Sequence, residues 1–174
     1  MHEVVAKVLA GNTNAFRVIV QKYSESLLSF GQQMLHNQHD AEEATQQTFI
    51  KAFKHLSGYN PELPMEPWLY RIHLNSCRTM YRQRRRRDIF TFLSENDADP
   101  VNSDPMEDLS VEYIHGCVNK LSWKQKSAFQ LMEIQGMSSD EAAEVMACNA
   151  STARVHLKRA RETLQKQLRS IGYD

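Results

Sequence analysis

Apolar residues recur every three to four positions along most of the chain, and no run of alternating β-branched residues marks a strand. The pattern therefore predicts an all-α protein. "AFRVIVQKYSESLLSFGQQML" reads as one or two helices. "DAEEATQQTFIKAFKHL" predicts another, with Asp40 as its N-cap and acidic residues near its positive end. On that helix Ala41, Ala44, Thr45, Thr48, Phe49, Ala52 and Phe53 form the inward face, and Glu43, Gln46, Gln47 and Ile50 lie on the other side. "SGYNPELPMEP" carries three prolines and a glycine and is a loop, with Pro67 suited to the first turn of a helix beginning near Trp68.

The second half has clear punctuation. Ser122 with Gln125, and Ser138 with Glu141, have the spacing of capping boxes. Gly136 fits the end of a helix begun near Trp123. A short helix from about Asp140 to Met146, a turn at Ala147 and Cys148, and a longer helix capped by Asn149 give the outline of a helix-turn-helix. In that last helix Ala153, Leu157, Ala160, Leu164 and Leu168 make the buried stripe, while Ser151, Arg154, Val155, Lys158, Arg159 and Glu162 point outward. Between the halves, "SENDADPVNSDPMED" is rich in Pro, Ser and Asp and reads as a linker. The expected organisation is two small helical domains, 1–92 and 109–174, joined by an acidic flexible linker, 93–108.

Charge changes this picture more than composition does. The chain of 174 residues has a formal net charge of zero, yet its charges are sorted. Seven arginines lie between Arg71 and Arg87 with no carboxylate among them. Eight Asp and Glu follow from Asp88 to Glu112, and basic residues return from Arg154 to Arg169 with only Glu162 opposing them. On the helix from Trp68, Arg71, Asn75, Arg78, Arg82 and Arg85 fall within a stripe about 80° wide, and Leu69, Ile72, Ser76 and Met80 face the other way. Most charge runs are solvated faces. This one is all positive, with no carboxylate at i±4 to balance it, so phosphates and base edges suit it better. Arg84 and Arg87 project away from the stripe, as general phosphate contacts or solvated side chains. Tyr59, Trp68 and Tyr70 surround the proline-rich loop beside it and read equally as core or as platforms for unpaired bases.

Other chemistry is sparse. Cys77, Cys117 and Cys148 are odd in number and form no C-x-x-C pair, which disfavours a disulfide framework and gives only a weak metal pattern. The sequence has no Gly-rich phosphate loop, H-E-x-x-H, G-x-S-x-G or EF-hand pattern. It therefore predicts no enzyme, no cofactor and no metal. No apolar run approaches the ~18 residues of a membrane span, and the first residues lack the apolar core of a secretory signal, so a cytoplasmic protein without membrane insertion is expected.

Three segments together, "DAEEATQQTFIKAFKHL", "PWLYRIHLNSCR" and "LSWKQKSAFQLMEIQGMSSDEAAEVMACNASTARVHLKRARETL", resemble the extracytoplasmic-function (ECF) sigma factors of bacterial RNA polymerase, the minimal members of the sigma-70 family. The resemblance implies a region 2 bundle, an acidic linker and a region 4 helix-turn-helix. It implies that Asp40, Glu43, Gln46, Gln47 and Ile50 hold core polymerase. It also implies that Tyr59, Trp68, Tyr70, Arg71, Asn75, Arg78, Arg82 and Arg85 bind and open the minus-ten element, and that Ser151, Thr152, Arg154, Val155, His156, Lys158 and Arg159 read the minus-thirty-five element. An anti-sigma factor and a stress or envelope-response regulon are implied in the same way. Gln47 departs from the family's usual acidic residue, Met65 and Glu66 from a frequent aromatic pair, and Val155 and His156 from a frequent Ser and Arg. Ala147 stands where Gly is common, at a position suited to positive φ.

The function this implies is transcription initiation: the chain directs core polymerase to promoters and starts their melting. An autonomous helix-turn-helix regulator is the alternative, and it leaves the Asp40 helix and the arginine stripe without a role. A nuclease acting on the bound strand is a third class, unsupported by any catalytic constellation.

Overall fold

A computed structural model describes residues 1–94 (backbone alone from 88), 116–118 and 120–170. The described residues form no strand and, besides helical residues at 116–118, seven α-helices: α1 (His2–Leu9), α2 (Phe16–Leu35), α3 (Gln38–Lys54), α4 (Met65–Ser94), α5 (Trp123–Phe129), α6 (Ser139–Met146) and α7 (Ala150–Arg169). The expected linker falls almost wholly outside them, because α4 runs to Ser94 and the next described residue is Gly116.

The first half is a bundle in which α3 packs against both α2 and α4. Small residues set its tightest approach. A Cβ at Gly31 of α2 would lie 3.3 Å from both Ala41 Cβ and His73 Nε2, so glycine lets three helices meet around one imidazole. "AFRVIVQKYSESLLSFGQQML" proves to be one continuous helix, ended at His36 by left-handed backbone (φ 49°). Asp40 is not a cap. α3 begins three residues earlier than the sequence suggested, capped by Asn37, whose Oδ1 accepts the Asp40 N–H at 2.8 Å. α4 likewise begins at Met65 and not at Trp68, which puts Pro67 in its first turn as expected.

The second half follows its punctuation closely. Both capping boxes are present, at Ser122/Gln125 and Ser138/Glu141. α5 continues through a π turn (Gln130–Ile134) to Gly136, which has φ 70°. The helix-turn-helix turn passes through Ala147 at φ 52° and ψ 51°, and the Asn149 side chain caps α7 by accepting the Thr152 N–H at 2.8 Å. The halves are not apart. Leu131, Met137, Ala142 and Val145 belong to the same buried cluster as Phe30, Leu69, Tyr70 and Leu74, and α6 packs on α4.

Candidate nucleic-acid and polymerase interface

α4 carries the basic stripe because its other side is committed to the bundle. Leu69, His73, Leu74, Ser76 and Cys77 are buried, and Ile72 and Met80 are half-buried. Arg71, Asn75, Arg78, Arg82 and Arg85 are therefore presented together to solvent, as their periodicity requires. The buried side holds a polar chain. Thr48 Oγ1 donates to the Ala44 carbonyl at 2.6 Å and pairs with His73 Nδ1 at 2.9 Å, and His73 Nε2 pairs with the Cys77 thiol at 3.6 Å. Burial lowers the His73 pKa to about 4 and pushes the Cys77 thiol up to about 12, so both are neutral near pH 7. The chain fixes how α4 sits on α3 without burying a charge there.

The aromatic residues beside the stripe are placed differently from one another. Tyr59 and Tyr70 are buried, which corrects the option of reading them as stacking platforms: in this structure neither offers a free ring face. Tyr59 donates to the Leu63 carbonyl at 2.5 Å and packs on Trp68, with ring centroids 5.0 Å apart. Tyr70 meets Phe30 edge-on at 5.3 Å, and its hydroxyl donates to Gln135 Oε1 in the second half at 2.6 Å. Both phenols are held by the need to bury a large ring while satisfying its hydroxyl. Trp68 stays half-buried at the edge of the loop.

On α3, Glu43, Gln46 and Ile50 lie exposed on one face and Gln47 is half-buried beside them. Ile50 is 41% exposed, and so is Phe53, which was expected to face inward but rests edge-on against Phe16 at the rim of the bundle. Asp40 does not join that face. It is buried to 7% exposure, and its carboxylate lies 3.8 Å from Arg84. The arginine run is thus divided: Arg84 and Arg87 turn toward the start of α3, where they line a cavity with Asn37, His39 and Asp40. Helical periodicity separates these two arginines from the stripe, but it cannot supply Asp40 as a partner 44 positions away.

On α7 the expected reading residues Ser151, Arg154, Val155, Lys158 and Arg159 are exposed, Val155 by 46%, and Thr152 and His156 are half-buried. Arg154 donates to Ser139 Oγ at 2.9 Å, tying the start of the recognition helix to α6. His156 has a lowered pKa, first through burial and then through the charges of Lys124 and Arg159.

The two basic surfaces face each other across the seam between the halves. A cavity of about 190 Å³ is lined by Arg71, Asn75 and Arg78 on one side and by Lys124, Thr152 and His156 on the other. Tyr81 packs on Trp123 with ring centroids 5.2 Å apart, and Lys126, buried midway along α5, reaches the Met34 carbonyl at 3.4 Å and the His36 ring. A cation at the last turn of α2 complements its dipole, while burial lowers the Lys126 pKa to about 8. None of these seam contacts has a sequence signature, because each pairs residues from separate halves.

The family model for sigma-70 region 2 matches residues 19–87, and the one for sigma-70 region 4 matches 111–164. The chain is 27% identical to the RNA polymerase sigma-H factor of Pseudomonas aeruginosa over 97% of this chain and 94% of that one. It is 29% identical to the RNA polymerase sigma factor CnrH of Cupriavidus metallidurans, over 95% of this chain and 92% of that one. CnrH solved in complex with the cytosolic domain of CnrY superposes with a TM-score of 0.75 over 97% of both chains, at 25% identity. Bartonella quintana RpoE, solved with the anti-sigma factor NepR, shares the fold with a TM-score of 0.72 over 88% of this chain and 96% of that one, at 23% identity. An exposed guanidinium stripe, a helix-turn-helix and two matched regions in this order make the chain a member of the sigma-70 family, an ECF RNA polymerase sigma factor.

Proposed function

We propose that this sigma factor divides its work among three helices. The outer face of α3 (Glu43, Gln46, Gln47, Ile50) docks on core polymerase. The stripe of α4 (Arg71, Asn75, Arg78, Arg82, Arg85), with Trp68 at its edge, binds and opens the minus-ten element. The recognition helix α7 (Ser151, Thr152, Arg154, Val155, His156, Lys158, Arg159) reads the minus-thirty-five element, where Arg and Lys suit guanine and Val155 suits a thymine methyl. The corresponding units are 1–92, a linker at 93–108 and 109–174. Asp40, Tyr59 and Tyr70 join these surfaces only if the chain rearranges.

The observation that carries this reading is the segregation of α4. One side is sunk in the bundle, and the other presents five aligned polar residues, four of them arginines, with no carboxylate paired to them among the described residues. The stripe and α7 share a cavity of about 190 Å³, too small for a duplex, so a duplex gripped by both faces at the seam would require the halves to part. Each DNA-binding half is weak alone, and tethering both on one polymerase raises their effective concentration. The chain acts by binding, without a catalytic step of its own, in the cytoplasm, on a stress or envelope-response regulon. An anti-sigma factor restrains it, a reading supported by the complex in which RpoE was solved.

Run-off transcription by the reconstituted holoenzyme on a genomic library tests the reading and reveals the promoter sequence together. Arg71→Ala or Asn75→Ala is expected to cripple open-complex formation, by about 5- to 150-fold for a lost base or phosphate contact of about 1–3 kcal/mol, while core binding is retained. Failure of the pure chain to co-elute with core polymerase would sink it.

A further inference from the structure

The seam carries an open charged cleft whose aromatic pair the promoter-binding reading leaves without a role. A cavity of about 390 Å³ is lined by Arg78, Tyr81, Arg82, Arg85 and Arg86 of α4 and by Trp123 of α5. Arg78 and Trp123 also line the neighbouring cavity, which adds Arg71, Lys124 and His156. Among the described residues neither lining contains a carboxylate. No described carboxylate pairs with Arg78, Arg82, Arg85 or Arg86, whereas Arg84 between them is held by Asp40. The aromatic pair at the centre takes one ring from each half of the chain, inclined at 35°.

We propose that this cleft binds a nucleoside polyphosphate. The base lies on the Tyr81–Trp123 pair, the phosphates lie on Arg78, Arg82, Arg85 and Arg86, and the bound ligand holds the chain closed. Guanidiniums gathered without a counter-charge among the described residues repel one another, and phosphate oxygens match their donor geometry. The rings supply a stacking surface that bare charge does not need, and the volume lies within the roughly 300–1,000 Å³ usual for small-ligand sites. An acidic peptide would balance the charge but leave the aromatic pair without a role. Trp123 leaves α4 when the halves part, so the ligand selects the closed form and shifts the population toward it. It also covers Arg78, Arg82 and Arg85, so it competes with promoter DNA. The inference rests on the sigma-factor reading for that competition alone, because binding is measured on the free chain.

The test is calorimetric titration of the full chain at ~0.15 M salt with GTP, ATP, inorganic tripolyphosphate and a hexaglutamate peptide. One nucleotide is expected per chain, bound at least about tenfold tighter than tripolyphosphate, since stacking on an aromatic ring is worth about that factor. Trp123→Ala or Tyr81→Ala should erase the preference for nucleotide, and Arg86→Ala should weaken nucleotide and tripolyphosphate alike. Arg86 is exposed and packs on nothing in the core, so that variant keeps the test decisive if Trp123→Ala fails to fold. Equal affinity for tripolyphosphate, or tighter binding of hexaglutamate, overturns the proposal, as does affinity unchanged by all three variants. A chain that transcribes with core polymerase yet binds no nucleotide refutes this inference and leaves the proposed function standing.

Discussion

His73 shows how one residue fixes the presentation of the DNA-facing stripe. It is fully buried where α2, α3 and α4 cross, and its neutral ring is clamped between Thr48 and Cys77. Burial holds its folded pKa near 4, below its ordinary 6.5, so between those values the unfolded chain binds more protons than the folded one. Its contribution to stability is therefore complete above about pH 6.5 and is lost as pH falls through about 4, with a ceiling of about 3 kcal/mol. Urea unfolding at pH 7 and pH 4.5 should show this loss, and His73→Leu should flatten it. Ala147 is the other informative single residue. At φ 52° its Cβ crowds the backbone, so Ala147→Gly should raise stability by about 1 kcal/mol in the same measurement, without altering the helix-turn-helix.

Among the elements, α6 and α7 owe their starts to side chains within four residues of the first turn. The Ser138 hydroxyl accepts the Glu141 N–H, the Glu141 carboxylate accepts the Ser138 N–H, and Asn149 caps α7. Hydrogen bonds from Ser138 lower the Glu141 pKa. An eight-residue helix has too few internal bonds to hold its own ends. Ser138→Ala should therefore destabilise the second half by about 1 kcal/mol in thermal unfolding and weaken duplex binding by α7, with the first half unchanged. α4 is governed differently. Its boundary on the bundle side is set by burial, and its turns from Arg82 to Arg87 carry arginines divided between solvent and Asp40. This is why a helical projection could sort the arginines by direction while leaving open what each direction meets.

For the whole molecule, the decisive feature is the seam. Tyr70 links the halves through Gln135, and its phenol is pushed up to about 12 by burial, so this link does not titrate in the physiological range. A double-mutant cycle of Tyr70→Phe and Gln135→Ala should return a coupling of about 1 kcal/mol in the free chain, and a distance probe across the seam should lengthen in both single variants. No coupling would mean that the halves do not close through this contact. The helical class, the capping boxes, the helix-turn-helix and the composition of the stripe were all legible in the sequence. Each depends on neighbours within one or two turns, and periodicity reports such neighbours directly. Burial of Tyr59 and Tyr70, the pairing of Asp40 with Arg84, the stacking of Tyr81 on Trp123 and the facing of the two basic surfaces were decided only by tertiary packing. They join side chains that are distant in sequence, through burial and charge compensation that a linear pattern does not encode.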